Sequence, residues 1–548
     1  MAKHLMVTIL ASIIFSKQPS PALHLHHKLT TLLQDYFQKF RNNIIGINKE
    51  IDTPYGKKKM VYADWTASGR AYGPIEERLQ KDILPLIANT HTETTASGTA
   101  MTRAYEQAKH IIKKHVHAGP DDVLIFSGSG MTGAVNKLQR LLGLRIPERI
   151  MDYVKPGRLP SHKELTQPQV RIHQLFSDYL DIDPVKKPVI FVSQMEHHSN
   201  QTSWLETIAD VEIIPNDETG NINLAALELL LLKYKDRQNK AAAITGCSNV
   251  TGIQTPYHEV AQMVHKHGGL CFVDFACSAP YVKIDMHPAD VDGGHLDAIF
   301  FSPHKFLGGQ GTPGVLIFDK QLYRNIIPDQ PGGGTVTYTN PWKYHEYITD
   351  IEHREDGGTP PFLQGIKAAL AVKLKEEMGI NKMLAREEEL LKIIFDRMPN
   401  IPGLEILEGE NSHRLGVISF LIKNTHFNLV VKLLNDHFGV QTRGGCACAG
   451  TYGHILLHVE ELHSYEILNE IHNGDLSCKP GWVRMSIHPV MTDAEMHFII
   501  DAIEQVAIHY QEWKKEYMYE PDTNEYHHQS KHDTMHALVN SWYETSLA

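Results

Sequence analysis

The chain has 548 residues, 42% of them hydrophobic and 21% charged, which is more than one small core needs and excludes a peptide-scale scaffold. Its 53 basic and 64 acidic residues give a net charge of −11 at pH 7, which speaks against coating a nucleic-acid duplex or an anionic membrane. Six cysteines are too few for a secreted disulfide framework, so a reducing, cytoplasmic setting is expected, and most of the 34 histidines read as structural or solvated groups.

In chain order, the first feature is an apolar run at 5–15 after Lys3, shorter than a membrane-spanning helix and without a clear small-x-small cleavage site beyond Ser20-Pro21-Ala22. It reads as a targeting segment, as an N-terminal packing helix, or as the product of a start codon placed too early. From about residue 120, short apolar runs predict strands at 122–126, 188–192, 240–245, 270–274, 298–301 and 314–318. Amphipathic stretches between them predict helices at 131–144, 224–235 and 257–267. Buried strands alternating with helices imply an α/β fold, a mostly parallel sheet covered on both faces, with ligands at the carboxyl ends of the strands.

Beyond about residue 375 the pattern changes: helices are predicted at 381–398 and 428–438, strand-like segments within 404–421 and a strand at 482–487. A final long helix opens with Thr492-Asp-Ala-Glu495, a capping box. These elements predict a separate, smaller α+β C-terminal domain. The proline-bearing stretch 145–187 and the stretch 450–481 read as insertions, and the polar tail from Pro521 is expected to be poorly ordered or peripheral.

Chemistry concentrates at predicted strand ends. Phe300-Phe-Ser-Pro-His-Lys-Phe-Leu-Gly-Gly309 closes a strand with Ser302, His304 and Lys305; a lysine desolvated there can present a neutral amine to an aldehyde. Leu270-Cys-Phe-Val-Asp274 ends another strand in a carboxylate able to keep a pyridine nitrogen protonated. Val192-Ser-Gln-Met-Glu-His197-His198-Ser-Asn offers an imidazole face for stacking, and neighbouring histidines in extended chain point apart, which disfavours joint metal chelation. Phe126-Ser-Gly-Ser-Gly-Met-Thr132-Gly is a glycine-rich turn entering a helix, suited to a phosphate. Each of these has a bland reading on its own: a solvated lysine, a capping aspartate, a surface histidine pair, an ordinary turn.

Taken together the motifs resemble the class V aminotransferase fold of pyridoxal 5'-phosphate (PLP) enzymes, in particular the group II cysteine desulfurases and selenocysteine lyases, over roughly residues 58 to 515. Tyr62-Ala-Asp-Trp-Thr-Ala-Ser68 is similar to the family's N-terminal segment, Ser248-Asn249-Val-Thr-Gly252 to its SNxxG segment, and Gly332-Gly-Gly-Thr335 and Gly358-Thr359-Pro360 to its downstream glycine-rich segments. The resemblance implies PLP-dependent transferase fold type I, with a mostly parallel seven-stranded-type sheet. It implies Lys305 as the Schiff-base lysine, Asp274 as pyridine partner and His197 as the stacking group. Thr132, Asn249, Ser302 and His304 are then cofactor ligands, and Thr359 is expected at the phosphate site of a neighbouring subunit.

Arg443-Gly-Gly-Cys-Ala-Cys448 is similar to the family's R-x-G-x-x-C loop, which implies Cys448 as the persulfide-forming thiol. Val483-Arg484-Met-Ser486 resembles the strand whose arginine clamps the substrate carboxylate, so Arg484, Arg443 and Asn249 are the implied substrate ligands. Cys277 stands where the family commonly has a cofactor-binding glutamine, and Cys446 and Ala447 stand where histidines usually precede the loop cysteine. Cys446 reads as a second sulfur acceptor, a local redox partner or a residue without a special role, and its spacing from Cys448 is poor for a structural metal site. No metal is expected.

The implied activity is conversion of L-cysteine to L-alanine with sulfur passed to an enzyme cysteine and then to a protein acceptor. A class V aminotransferase, epimerase or β-lyase acting on another amino acid remains the alternative, and a non-catalytic protein of the same fold is the third. The expected organisation is an N-terminal extension (1–45), a PLP-binding large domain (46–375), a small C-terminal domain (376–520) and a tail (521–548), assembled as a homodimer with active sites near the interface.

Overall fold

The computed structural model describes residues 33–147, 149–150, 182–530 and 534–544. The apolar run at 5–15 and most of the 145–187 insertion lie outside the described residues.

Seven strands form the central sheet: β1 (Asp122–Ser127), β2 (Val189–Ser193), β3 (Asp210–Ile214), β4 (Lys240–Thr245), β5 (Leu270–Asp274), β6 (Ala298–Phe301) and β7 (Gly314–Asp319). Their order is β1-β7-β6-β5-β4-β2-β3. All neighbouring pairs are parallel except those of β7, which runs antiparallel to both β1 and β6. The fold is therefore α/β with a mostly parallel sheet. Side chains alternate between its faces: Cys271 and Val273 join one core with Ile299 and Phe301, while Phe272 joins the other with Ala298 and Phe300. That two-sided burial is why the strands read as unbroken apolar runs. The edge strand β3 had no counterpart among the predicted strands. Its sequence Asp-Val-Glu-Ile-Ile is mostly half-exposed, so it lacks the continuous apolar signature.

Helices α1 (Ala96–His115) and α2 (Phe362–Met378) pack together on one face. On the other, helix α3 (Met131–Leu141) presents Ala134, Val135, Leu138 and Leu141 to the sheet. Gly379, at a φ of 78°, turns the chain from α2 into α4 (Ile380–Arg397) and the C-terminal part of the molecule. There, strands β8 (Leu404–Ile406), β9 (Val417–Ile422), β10 (Arg443–Gly445) and β11 (Trp482–Ser486) form an antiparallel sheet in the order β8-β9-β11-β10. Helices α5 (Phe427–Phe438) and α6 (Asp493–Trp513) accompany it, and α6 begins with the capping box of Thr492 and Glu495.

Three segments sit differently from their place in the chain. Of the N-terminal extension, Phe37, Phe40 and Ile44 are buried in the core, and Arg41 donates to the Val490 carbonyl at 3.2 Å. Val61 and Tyr62 form a two-stranded parallel sheet with Val440 and Gln441, and Asp64 makes a single bridge to Ser486 at the end of β11, so this N-terminal stretch is hydrogen-bonded to the C-terminal part of the molecule. At the other end, Tyr517–Glu520 and Glu525–His528 form a hairpin whose Tyr517 and Tyr526 are buried, with Tyr517 donating to Asp436 of α5 at 3.0 Å. Tyr526 of the polar tail and Tyr517 just ahead of it thus supply core aromatics, Tyr517 burying its ring while its hydroxyl keeps a polar partner. Within 450–481 the chain forms helices Gly450–Leu456 and Glu461–His472.

Candidate active site

The carboxyl ends of β1, β2, β4, β5 and β6 converge on a cavity of about 340 Å³ lined by Thr132, His197, Asn249, Asp274, Ser302, His304 and Lys305. Seven of the residues singled out from the sequence thus share one site.

Lys305 closes the short helical turn after β6, is half-buried, and its Nζ makes no hydrogen bond to a described residue. Burial lowers its pKa from the ordinary lysine value, the condition under which an amine is nucleophilic at neutral pH. Asp274, the last residue of β5, is 3% exposed and accepts the Ala276 N–H at 2.8 Å. Burial raises its carboxyl to about 6, partly offset by that hydrogen bond and by Lys305. His197 caps helix α7 (His198–Leu205), its Nδ1 accepting the Ser199 N–H at 3.1 Å. An imidazole whose Nδ1 accepts is neutral in that tautomer, and burial pushes its pKa down to about 3.

The mouth of the cavity at the start of α3 is built for an anion. Met131 N–H donates to Ser302 Oγ at 2.8 Å, Thr132 Oγ1 and Ser199 Oγ lie 2.6 Å apart, and His304 Nδ1 meets the Ser129 carbonyl at 3.0 Å. Gly130 leaves the space these groups surround: a Cβ there would stand 2.8 Å from His304 Cε1 and 3.0 Å from Ser302 Oγ. The positive end of α3 lies beside that space, with the Met131 N–H taken by Ser302 Oγ and the Gly133 N–H by the Gly130 carbonyl.

On the opposite side, Arg484 of β11 is buried and donates to Asp64 Oδ1 at 2.8 Å and to the Asn249 carbonyl at 3.2 Å. Arg443, exposed on β10 opposite Arg484, donates to the other oxygen of Asp64 at 3.0 Å. Asn249 Oδ1 and Arg484 Nε are buried without a partner among the described residues, leaving one acceptor and one donor for a ligand.

The cysteine loop is tied to the same walls. Asn249 Nδ2 donates to the Ala447 carbonyl at 2.7 Å, His198 N–H donates to the Cys448 carbonyl at 2.7 Å, and Gly450 N–H donates to His198 Nε2 at 2.8 Å. Ala447 and Cys448 both hold positive φ, 49° and 58°, a left-handed conformation that those anchors maintain. Cys448 is exposed and Cys446 half-buried. His197 and His198 therefore divide their work, one ring lining the cavity and the other holding the loop.

Thr359 does not reach this cavity; it is exposed, on a turn where Gly358 N–H donates to the Gly333 carbonyl at 2.8 Å. Three participants escaped the sequence reading. Asp64 lay in a recognised segment but carried no role, Cys247 joins the cavity wall, and His198 anchors the loop. Their signal was position after a strand or within a motif, without any chemistry that marks the residue itself.

Residues 177–498 match the family model described as aminotransferase class-V. A probable cysteine desulfurase of Halalkalibacterium halodurans is 27% identical over 407 residues, covering 73% of this chain and 86% of that protein. One from Staphylococcus epidermidis is 27% identical over 403 residues, with 73% and 85% covered. Among solved structures, the apo cysteine desulfurase of Thermococcus onnurineus superposes with a TM-score of 0.65 at 21% identity, over 86% of this chain and 98% of the other. The Escherichia coli cysteine desulfurase CsdA, as its S-sulfonic acid, gives 0.61 at 20% identity over 86% and 98%. These structural likenesses are likenesses of fold.

Proposed function

The chain belongs to the class V aminotransferase family, and from that membership we propose that it is a pyridoxal 5'-phosphate-dependent cysteine desulfurase, converting L-cysteine to L-alanine and taking the sulfur onto Cys448. The observation that carries the cofactor assignment is the cradle left by Gly130 beside Ser302 and His304, in the same cavity as a pKa-lowered Lys305 and a buried Asp274. Such a donor set suits a phosphate at one end and a protonated pyridine at the other. When bound, the cofactor supplies an electron sink for bond breaking at the substrate Cα and Cβ.

The protein's own groups have separable tasks in this reading. Thr132, Ser302 and His304 hold the phosphate, Asp274 keeps a proton on the ring nitrogen, and His197 covers the ring face. Arg484 takes the substrate carboxylate in its planar fork, with Asn249 beside it. Lys305 holds the cofactor and then moves the proton at the substrate Cα. Cys448, as thiolate, attacks the substrate sulfur and retains it as a persulfide for an acceptor, while alanine leaves. The 27% identity to proteins named as probable cysteine desulfurases supports L-cysteine as substrate.

A homodimer completes the proposal. Trp342 is 82% exposed at the tip of a hairpin that follows the glycine turn supporting Gly358, and Ile326 and Ile327 are exposed nearby in sequence. A second copy over this surface would bury those side chains and bring Thr359 toward its neighbour's phosphate site.

The test is incubation of the purified protein with PLP, L-cysteine and a reductant, scoring alanine and sulfide together. Equal yields are expected. Pyruvate in place of alanine would make the protein a β-lyase, and keto-acid-dependent amine exchange without sulfide would make it an aminotransferase.

A further inference from the structure

Two of the six cysteines meet in the wall of the cavity without a part in the sulfur transfer proposed above. Strands β4 and β5 are parallel neighbours with Thr245 opposite Asp274, so the residues that follow them leave the sheet at the same level. Cys247 and Cys277 emerge there, their Sγ atoms 3.8 Å apart, and both line the cavity beside Lys305. Cys247 is buried, with its Sγ 3.2 Å from the Gly252 carbonyl and 3.5 Å from that of Ser248.

The two thiols are not equivalent. Burial pushes Cys247 well above the ordinary thiol range, whereas the hydrogen bond between the two, aided by Lys305 and Arg484, holds Cys277 below it. Asp274 faces Cys277 with the opposite effect, and Glu387 lies on the Cys247 side. One thiol is therefore suited to attack and its neighbour to resolve.

We propose that Cys247 and Cys277 are a dithiol that a small hydroperoxide entering the cavity oxidises to an intramolecular disulfide. The Cys277 sulfur attacks one peroxide oxygen; the O–O bond breaks, an S–O bond forms, and the other oxygen leaves as water or an alcohol with a proton. The Cys247 sulfur then attacks the Cys277 sulfur; the S–O bond breaks, the S–S bond forms, and water leaves with the Cys247 proton. Two thiols lose two electrons and the hydroperoxide gains them. Because a disulfide bond is about 2.0 Å long, closure pulls the Cys277 side of the wall toward Cys247 and reshapes the space next to Lys305 and Asp274. Oxidation thereby lowers PLP uptake, a consequence that rests on the proposed function, while the thiol chemistry does not.

The full-length protein, treated with hydrogen peroxide, alkylated, digested and mapped by mass spectrometry, is expected to give one linked peptide pair joining Cys247 to Cys277. A Cys446 to Cys448 link in its place, or no link, overturns the proposal. In Cys247→Ser, dimedone is expected to trap Cys277 as its sulfenic acid, and absence of the adduct in folded variant overturns the assignment of Cys277 as the attacking thiol. Oxidised wild-type protein is expected to bind PLP several-fold more weakly by absorbance titration, with recovery in dithiothreitol; unchanged uptake overturns the effect on the cofactor. The peptide map is read without turnover, so it stands or fails separately from desulfurase activity.

Discussion

Arg484 and Asp64, 420 residues apart in sequence, form a buried ion pair of 2.8 Å at the edge of the cavity, and the second carboxylate oxygen is taken by Arg443 at 3.0 Å. Asp64 offsets the charge of a guanidinium removed from water, and removing a partner from such a pair leaves an uncompensated ion. Asp64→Asn is therefore expected to destabilise the fold by on the order of 3 kcal/mol, measured by denaturant unfolding. Unfolding at an unchanged denaturant midpoint would show that solvent compensates the Arg484 charge without Asp64.

Arg484→Lys keeps the charge and loses the fork. Since Arg484 is held by Asp64 and the Asn249 carbonyl with its Nε left open, a lysine ammonium cannot reproduce the geometry offered to a substrate carboxylate. The KM for L-cysteine is expected to rise by about tenfold or more, with a smaller change in kcat. An equal fall in kcat with KM unchanged would move Arg484 from substrate binding to the chemical step.

Cys448→Ser is expected to abolish alanine and sulfide formation from L-cysteine while PLP absorbance stays unchanged, because the residue is exposed on an anchored loop and does not line the cavity wall. Full sulfide release by this variant would remove Cys448 from the mechanism.

Gly130→Ala tests the phosphate cradle. Its φ of 173° is extended and open to any residue, so the effect of the added methyl is contact with His304 and Ser302. PLP affinity is expected to fall at least about tenfold, roughly 1.4 kcal/mol, with little loss of thermal stability. Undiminished affinity would place the phosphate elsewhere.

Stability should also fall as pH rises through a defined window. Glu387 is buried, accepts the Gly416 N–H at 2.9 Å, and is raised by burial from 4.5 to about 8. Below 4.5 the carboxyl is protonated folded or unfolded; between 4.5 and about 8 only the unfolded chain ionises, which favours unfolding. The contribution is thus complete at low pH and lost by about 8. Glu387→Gln, neutral throughout, is expected to flatten the decline of Tm across this window. Parallel Tm curves for the variant and the parent would assign the decline to other groups, such as Glu196, which burial also raises to about 8.

The strands with both faces covered were legible as apolar runs, as in β5 and β6, and so were the polar residues at and just beyond their ends: Asp274, Ser302, His304 and Lys305. Edge strand β3 escaped because half-exposed strands need no such run. Only the folded chain brings Val61 and Tyr62 beside Val440 and Gln441, Asp64 to Arg484, and Cys247 to Cys277. Local pattern reflects the burial of each residue, but which distant residues meet depends on strand register and on the packing of one sheet against another, and those emerge only when the whole chain closes on its core.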